Sequence, residues 1–235
     1  MTKRRITRRE LKEDKLREYT KRLTRFFYQQ DPKRVKRVSY LFLAVIAGIL
    51  VIFSGISNIN KQCLFDLSRG LNLYYQSDEK EKKGYKEAKV VFSDILSDYP
   101  LTRHRMFALF YKANCHYHLE EYKEASDCFQ EFVRRYPSHP LAPFSLQNLA
   151  EICEIKKDYK EGLSVYKDII KDYPKGSNLS FAYLGMARCF ERLGRWSEAK
   201  KAYQDLIKNC PKSRLLEEAK FFIATIDKRR SISTP

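Results

Sequence analysis

The side chains of this 235-residue chain that could do chemistry are six cysteines, four histidines and 29 carboxylates, set among 46 lysines and arginines. Their spacing points away from catalysis. Cys63, Cys115, Cys128, Cys153, Cys189 and Cys210 form no C-x-x-C pair and no zinc-ligand pattern. Cys115, Cys153 and Cys189 fall where small apolar residues pack inside successive helices; a disulfide between neighbouring helices is the other reading. His116 and His118 are two apart on a helix, do not share a face, and so do not make a metal pair. There is no G-x-S-x-G, no phosphate-cradling glycine loop and no H-E-x-x-H, and only eight glycines occur. No enzyme, cofactor, metal or small-molecule substrate is expected. What remains is recognition chemistry. Asn114, Glu151 and Arg188 stand 37 residues apart, as do Tyr117, Glu154 and Glu191, with His118 and Arg192 beside them. Each row changes in charge or size along the chain, which is what telling partners apart requires. Plain solvation of a helix face would use the same residue types.

The elements that position these rows are announced by a repeat. Tyr85-Lys-Glu-Ala88, Tyr122-Lys-Glu-Ala125, Tyr159-Lys-Glu-Gly162 and Trp196-Ser-Glu-Ala199 recur every 37 residues. Four residues after each small residue comes an aromatic: Phe92, Phe129, Tyr166 and Tyr203. Eight residues later each copy has a proline: Pro100, Pro137, Pro174 and Pro211. The small residue marks where two antiparallel helices come closest, and the aromatic one turn on fills the groove beside it. Gly162 suits the close approach at a cost of about 1 kcal/mol in helix propensity against alanine. Proline ends the second helix, because it has no N–H and restricts the residue before it. Each copy is therefore a helical hairpin that cannot bury its apolar face alone, and stacking the copies makes one continuous core. Phe107, Phe144 and Phe181, identical in three copies, read first as packing and second as groove lining. The leading helix of the first copy, about 60–77, is followed by a charged insertion, Asp78 to Lys83. Ser213 to Arg230 reads as a closing helix with Leu216, Ala219, Ile223 and Ile226 on one side.

Ahead of the repeats, Val38 to Ile56 carry no Lys, Arg, Asp or Glu over 19 residues. As a helix they cover roughly 28 Å, close to the hydrocarbon thickness of a bilayer. A buried helix of a soluble domain is rarely this short of polar residues. A cleaved signal peptide fits poorly, since 37 residues precede the apolar run. Residues 1–37 hold 15 basic and 5 acidic residues, net +10, against net +7 over 58–235. That asymmetry predicts a cytoplasmic N-terminus and a large domain carried across the membrane. Within the basic tail, Thr7 and Glu10 have capping-box spacing, Leu16, Tyr19, Leu23 and Phe26 follow at helical spacing, and Asp31-Pro32 stops the helix. A basic amphipathic helix beside an anchor lies against anionic headgroups; a cytosolic partner or nucleic acid are the other readings, and no nucleic-acid motif supports the last. The domains expected are a basic cytoplasmic tail (1–37), a transmembrane helix (38–57), a repeat domain (58–230) and a disordered end (231–235).

The repeat resembles the tetratricopeptide repeat, whose signature ends in A-x3-F and then P. Its first-helix half is best kept in the fourth copy, at Tyr183, Met186, Ala187 and Phe190. The third copy has Leu146, Leu149, Ala150 and Cys153; the second keeps Leu109 and Ala113, while Lys112 and His116 depart from the pattern. The period of 37 exceeds the usual 34, the extra residues falling in turns such as PSHPLA (137–142). The resemblance implies an all-α, right-handed superhelical solenoid of about four hairpins plus a C-terminal capping helix, behind one N-terminal transmembrane helix. It also implies that the first helices line a concave face, so that Asn114, Tyr117, His118, Glu151, Glu154, Arg188, Glu191 and Arg192 would meet a protein partner. The Lys/Asn arrangement with which some members clamp a C-terminal carboxylate is not assembled here. In layout the chain is similar to bacterial envelope members of the family: the ancillary subunit of the Sec translocon, the barrel-assembly lipoprotein and the cell-division coordinator. That likeness implies an inner-membrane protein with a periplasmic repeat domain that binds translocon clients, chaperones or envelope proteins. Alternatives are a scaffold for outer-membrane, cell-wall or division machinery, and a structural subunit of a larger membrane complex. An import receptor with cytosolic repeats conflicts with the charge asymmetry.

Overall fold

A computed structural model describes residues 17–22, 25, 32–78 and 80–233. The capping box at Thr7 and Glu10, the apolar positions Leu16, Leu23 and Phe26, and Asp31 lie outside these residues. Everything regular among the described residues is helical. The chain divides into two compact units at Asn58/Ile59.

In the first unit, residues 17–22 are helical, and α1 (Pro32–Tyr75) begins ten residues later. Its stretch from Val38 to Ile56 is long and apolar enough to cross a membrane, and no part of it is buried by the protein. Phe53 is 71% exposed and Val51 72%. The apolar run and the residues that lead into the first hairpin belong to the same helix, and no proline stands between Ile56 and Tyr75.

The second unit is a stack of hairpins. The end of α1 pairs with α2 (Lys83–Asp98), α3 (Arg105–His118) with α4 (Tyr122–Arg135), α5 (Ala142–Ile155) with α6 (Tyr159–Asp172), and α7 (Leu179–Arg192) with α8 (Trp196–Asn209). A last helix, α9 (Leu216–Ser233), packs on α8 and runs into the segment read from sequence as a disordered end; residues 234 and 235 lie outside the description. From α2 onward each helix touches the next along the chain, and α5 also touches α7.

The repeated residues occupy equivalent places. Tyr122, Tyr159 and Trp196 each open the second helix of their hairpin. Ala88, Ala125 and Ala199 are fully buried, as are Phe92, Phe129 and Tyr203, with Tyr166 at 1%. These aromatics sit in three apolar clusters, one after another along the stack. Each second helix stops just before an X-Pro step. Tyr99, Tyr136, Tyr173 and Cys210 leave the helical region, as at φ −119°, ψ 60° for Tyr99, and their N–H groups close the helix on Ile95, Phe132, Ile169 and Leu206.

The turns inside the hairpins are made by one device used three times. Glu121, Asp158 and Arg195 bond back to the carbonyls of His116, Cys153 and Phe190, while Glu120, Lys157 and Gly194 bond to Tyr117, Glu154 and Glu191. This is the Schellman closure. It requires a left-handed residue, at φ 63° for Glu120 and Lys157 and 71° for Gly194. Glycine takes that conformation freely; the other two copies lose roughly 1 kcal/mol each by doing without it. The first hairpin has a longer connection, with Lys82 left-handed instead.

Candidate functional site

The rows read from sequence come together on the first helices, and the structure ties them into a ladder. Tyr117 on α3 donates its hydroxyl to Glu151 on α5 at 3.4 Å, and Gln147 donates to the same carboxylate at 3.0 Å. Asn148 on α5 donates to the Asn114 side-chain oxygen on α3 at 3.1 Å, while the Asn114 amide is held by the Phe110 carbonyl at 2.7 Å. One hairpin further, Arg188 on α7 grips Glu154 on α5 with two bonds, at 2.9 and 3.2 Å. Each rung joins residues 34 apart, three short of the repeat, so a side chain reaches the position one helical turn earlier on the next first helix.

Two tyrosines complete the ladder from behind. The Tyr166 hydroxyl donates to Glu154 at 2.6 Å, and the Tyr203 hydroxyl to Glu191 at 3.2 Å. Both were expected only as groove-filling aromatics. Their role was nonetheless visible: the aromatic is Phe129 where Tyr117 stands twelve residues earlier, and tyrosine where Glu154 or Glu191 does. A carboxylate drawn toward the core needs a donor, and a tyrosine supplies one without changing the packing.

These contacts set the electrostatics. Burial, then Glu154, push the Tyr166 hydroxyl well above its ordinary range. Burial opposes the charge on Arg188, but the Glu154 hydrogen bonds more than reverse that, so its pKa is raised. Burial and Glu151 push Tyr117 up to about 12. All three groups keep their ordinary protonation state at neutral pH, so the ladder titrates through none of them.

The other predicted residues are placed differently. His118 lies flat on Tyr85, ring centres 4.4 Å apart, and its Nε2 is 3.1 Å from the Tyr74 hydroxyl. With Lys82, Tyr117, Glu120 and Tyr122, the rings of Tyr85 and His118 line a recess of about 310 Å³. Arg192 is exposed at the end of α7. His116, which faces away from His118, is buried against Glu121, whose carboxylate Lys89 also holds with bonds of 2.7 and 2.8 Å. Sequence reasoning missed one edge of this face. On α1, Phe65, Arg69, Asn72 and Tyr75 recur at helical spacing, stand exposed and line a shallow groove, with the Tyr75 hydroxyl 2.8 Å from that of Tyr111.

Among the described residues no cluster of three or more His, Cys, Asp or Glu could hold a metal ion. The six cysteines are free thiols; burial pushes Cys115 and Cys189 up to about 12, which leaves them protonated and poorly nucleophilic.

Two family models of the tetratricopeptide repeat match the chain, at residues 106–139 and 181–213. They fall on the α3–α4 and α7–α8 hairpins. No curated protein matches the sequence. Among solved structures, the TPR-like repeats of a Podospora anserina kinesin-light-chain-like protein superpose with a TM-score of 0.56 at 11% identity, over 73% of this chain and 88% of that one. The apo form of RapI superposes with a TM-score of 0.60 at 10% identity, over 72% of this chain and 64% of that one. At such identities the likeness is one of fold. The first TPR domain of Spaghetti (RPAP3), solved with an HSP90 peptide, is 21% identical over 55% of this chain and 96% of that one, with a TM-score of 0.45.

Proposed function

We propose that this chain, which carries tetratricopeptide repeats, is a membrane-tethered module that holds other proteins of the cell envelope on the first-helix face of the stack. Repeats of this kind serve protein–protein interaction and generally form non-enzymatic scaffolds. The observation that carries the reading is a contrast between two kinds of position. The buried sites repeat the same residue types from copy to copy, while the first helices carry half-buried polar side chains that change at equivalent places: Asn114, Glu151 and Arg188, beside Tyr117, Glu154 and Glu191. Variable polar residues on an otherwise regular scaffold are how such a scaffold acquires specificity. The tyrosines and amides of that face give large contact area with adaptable hydrogen bonding at small entropic cost.

The apolar stretch Val38–Ile56, unburied and preceded by Arg34, Lys36 and Arg37, supports a single membrane span with the basic end in the cytoplasm and the repeats in the periplasm. Tethering raises the local concentration of whatever the face binds. In its most concrete form the module holds emerging or chaperone-bound polypeptides beside a translocon. The charge asymmetry favours this over a receptor facing the cytosol. A scaffold for outer-membrane, cell-wall or division machinery is the second reading.

Two measurements test these statements separately. Alkaline phosphatase fused after Pro235 is expected to be active; a stable but inactive fusion overturns the orientation. Cross-linking in native membranes followed by mass spectrometry is expected to recover translocon subunits or their clients on α3, α5 and α7. Recovery of barrel-assembly or division proteins alone selects the scaffold reading.

A further inference from the structure

The last helix carries a face that the repeats show how to interpret. In register with α7, residues Glu217, Phe221 and Ala224 of α9 stand where Ser180, Leu184 and Ala187 stand. In that hairpin the three are buried, at 9%, 4% and 0% exposure. On α9 the side toward α8 is buried in the same way, with Ala219 at 0% and Ile226 at 2%. The opposite side is open: Glu217, Ala224 and Lys228 are exposed, and Phe221 is 67% exposed. Phe221 is also held in place. Its ring meets Phe222 edge-on at 5.7 Å, and Phe222 stacks on the buried Tyr203 at 5.3 Å.

We infer that this face is a self-association seam, on which α9 of a second copy of this chain packs antiparallel. The spacing from 217 to 221 to 224 to 228 is four, three, four, the a/d interval that lets two helices stay in contact along their length. An antiparallel twofold pairing centred between Phe221 and Ala224 sets each Phe221 ring over the partner copy's small Ala224, filling the gap the alanine leaves. It also sets Glu217 opposite Lys228 at both ends of the seam. A parallel pairing would place like beside like, glutamate on glutamate and ring on ring, so charge and volume choose the antiparallel arrangement. Glu217 makes an exposed ion pair with Lys220 at 2.7 Å, a surface contact worth little, so turning toward a partner costs little.

The test is a charge swap in the full chain, purified in detergent or nanodiscs and followed by sedimentation velocity over a concentration series. The wild type is expected to dimerise reversibly. Glu217→Lys alone and Lys228→Glu alone each weaken dimerisation by roughly tenfold, since each sets like charges together at both ends, and the double variant restores it. Phe221→Ser weakens it as well. Circular dichroism confirms that the helix content is unchanged in each variant. A chain that stays monomeric to roughly 100 µM overturns the inference. So does a dimer indifferent to both single reversals, or one that the double variant fails to restore.

Discussion

Gly162 and Gly185 lie on neighbouring helices, one inside the hairpin that carries Tyr166 and one facing it from the next, and they answer to different demands. Gly162, on α6, faces the inside of its own hairpin. A methyl group there would rest 3.4 Å from the Ala150 carbonyl oxygen and from Cys153 Cβ, an ordinary contact. Gly185, on α7, faces the seam with the preceding hairpin. A methyl group there would fall on the Tyr166 ring. The ring is 1% exposed and tied through its hydroxyl to Glu154, so it cannot step aside. Hairpin interiors thus tolerate an alanine, as the other three copies confirm, while this seam is filled by one large side chain from one hairpin and a deliberate vacancy in the next. The interior is generic and the seam is specific.

The largest expected effect breaks the seam. Gly185→Ala gains about 1 kcal/mol of helix propensity but drives a methyl into the buried Tyr166 ring, an overpacking that costs about 3 kcal/mol or more, for a net loss of about 2 kcal/mol in chemical denaturation. A stability equal to or above wild type would mean that Tyr166 has room to move. Next comes the rung beside it. Arg188→Ala leaves Glu154 with Tyr166 as a donor and without its cation; with Arg188 41% and Glu154 18% exposed at the side chain, the loss should be about 1–2 kcal/mol. Glu154→Gln with Arg188 intact tests the same rung from the other side, and a cycle of the two should show coupling.

Gly162→Ala sharpens the comparison from the generic side. The methyl fits and the helix gains, so stability should rise by about 1 kcal/mol. The smallest effect is on pH. Burial holds the His116 pKa below its ordinary 6.5, outweighing the pull of Glu121, whose charge Lys89 already shares. The unfolded chain therefore binds a proton more readily than the folded one. The contribution of His116 is fully present above its unfolded pKa and is lost as pH falls below it toward the folded value. Melting curves at pH 7.5 and 5.5 should show this loss, and His116→Gln should reduce the difference.

The hairpins were legible in advance because their causes are local. The X-Pro stops at Pro100, Pro137, Pro174 and Pro211, the small residues and the aromatics one turn later act within a few residues, and they recur with a constant period. The turns were less legible, because Glu120 and Lys157 take a left-handed conformation with no glycine to announce it. The candidate site was half legible. The residues of its rows lie on successive first helices, but periodicity alone could not say that Tyr117 would reach Glu151 and Glu154 would reach Arg188. The switch from Phe129 to Tyr166 and Tyr203 was the available sign of half-buried carboxylates at Glu154 and Glu191, and it required reading the second helix together with the first.

From its own order the chain determines where each helix stops, which face of it is apolar, and that no hairpin is complete by itself, because propensity, proline sterics and apolar periodicity act over one or two turns. The apolar character of Val38–Ile56 is of the same kind. Tertiary structure alone decided the 34-residue rungs, the closed seam at Gly185 and the open face of α9. Those depend on the offset between stacked helices, a distance that no stretch of sequence contains.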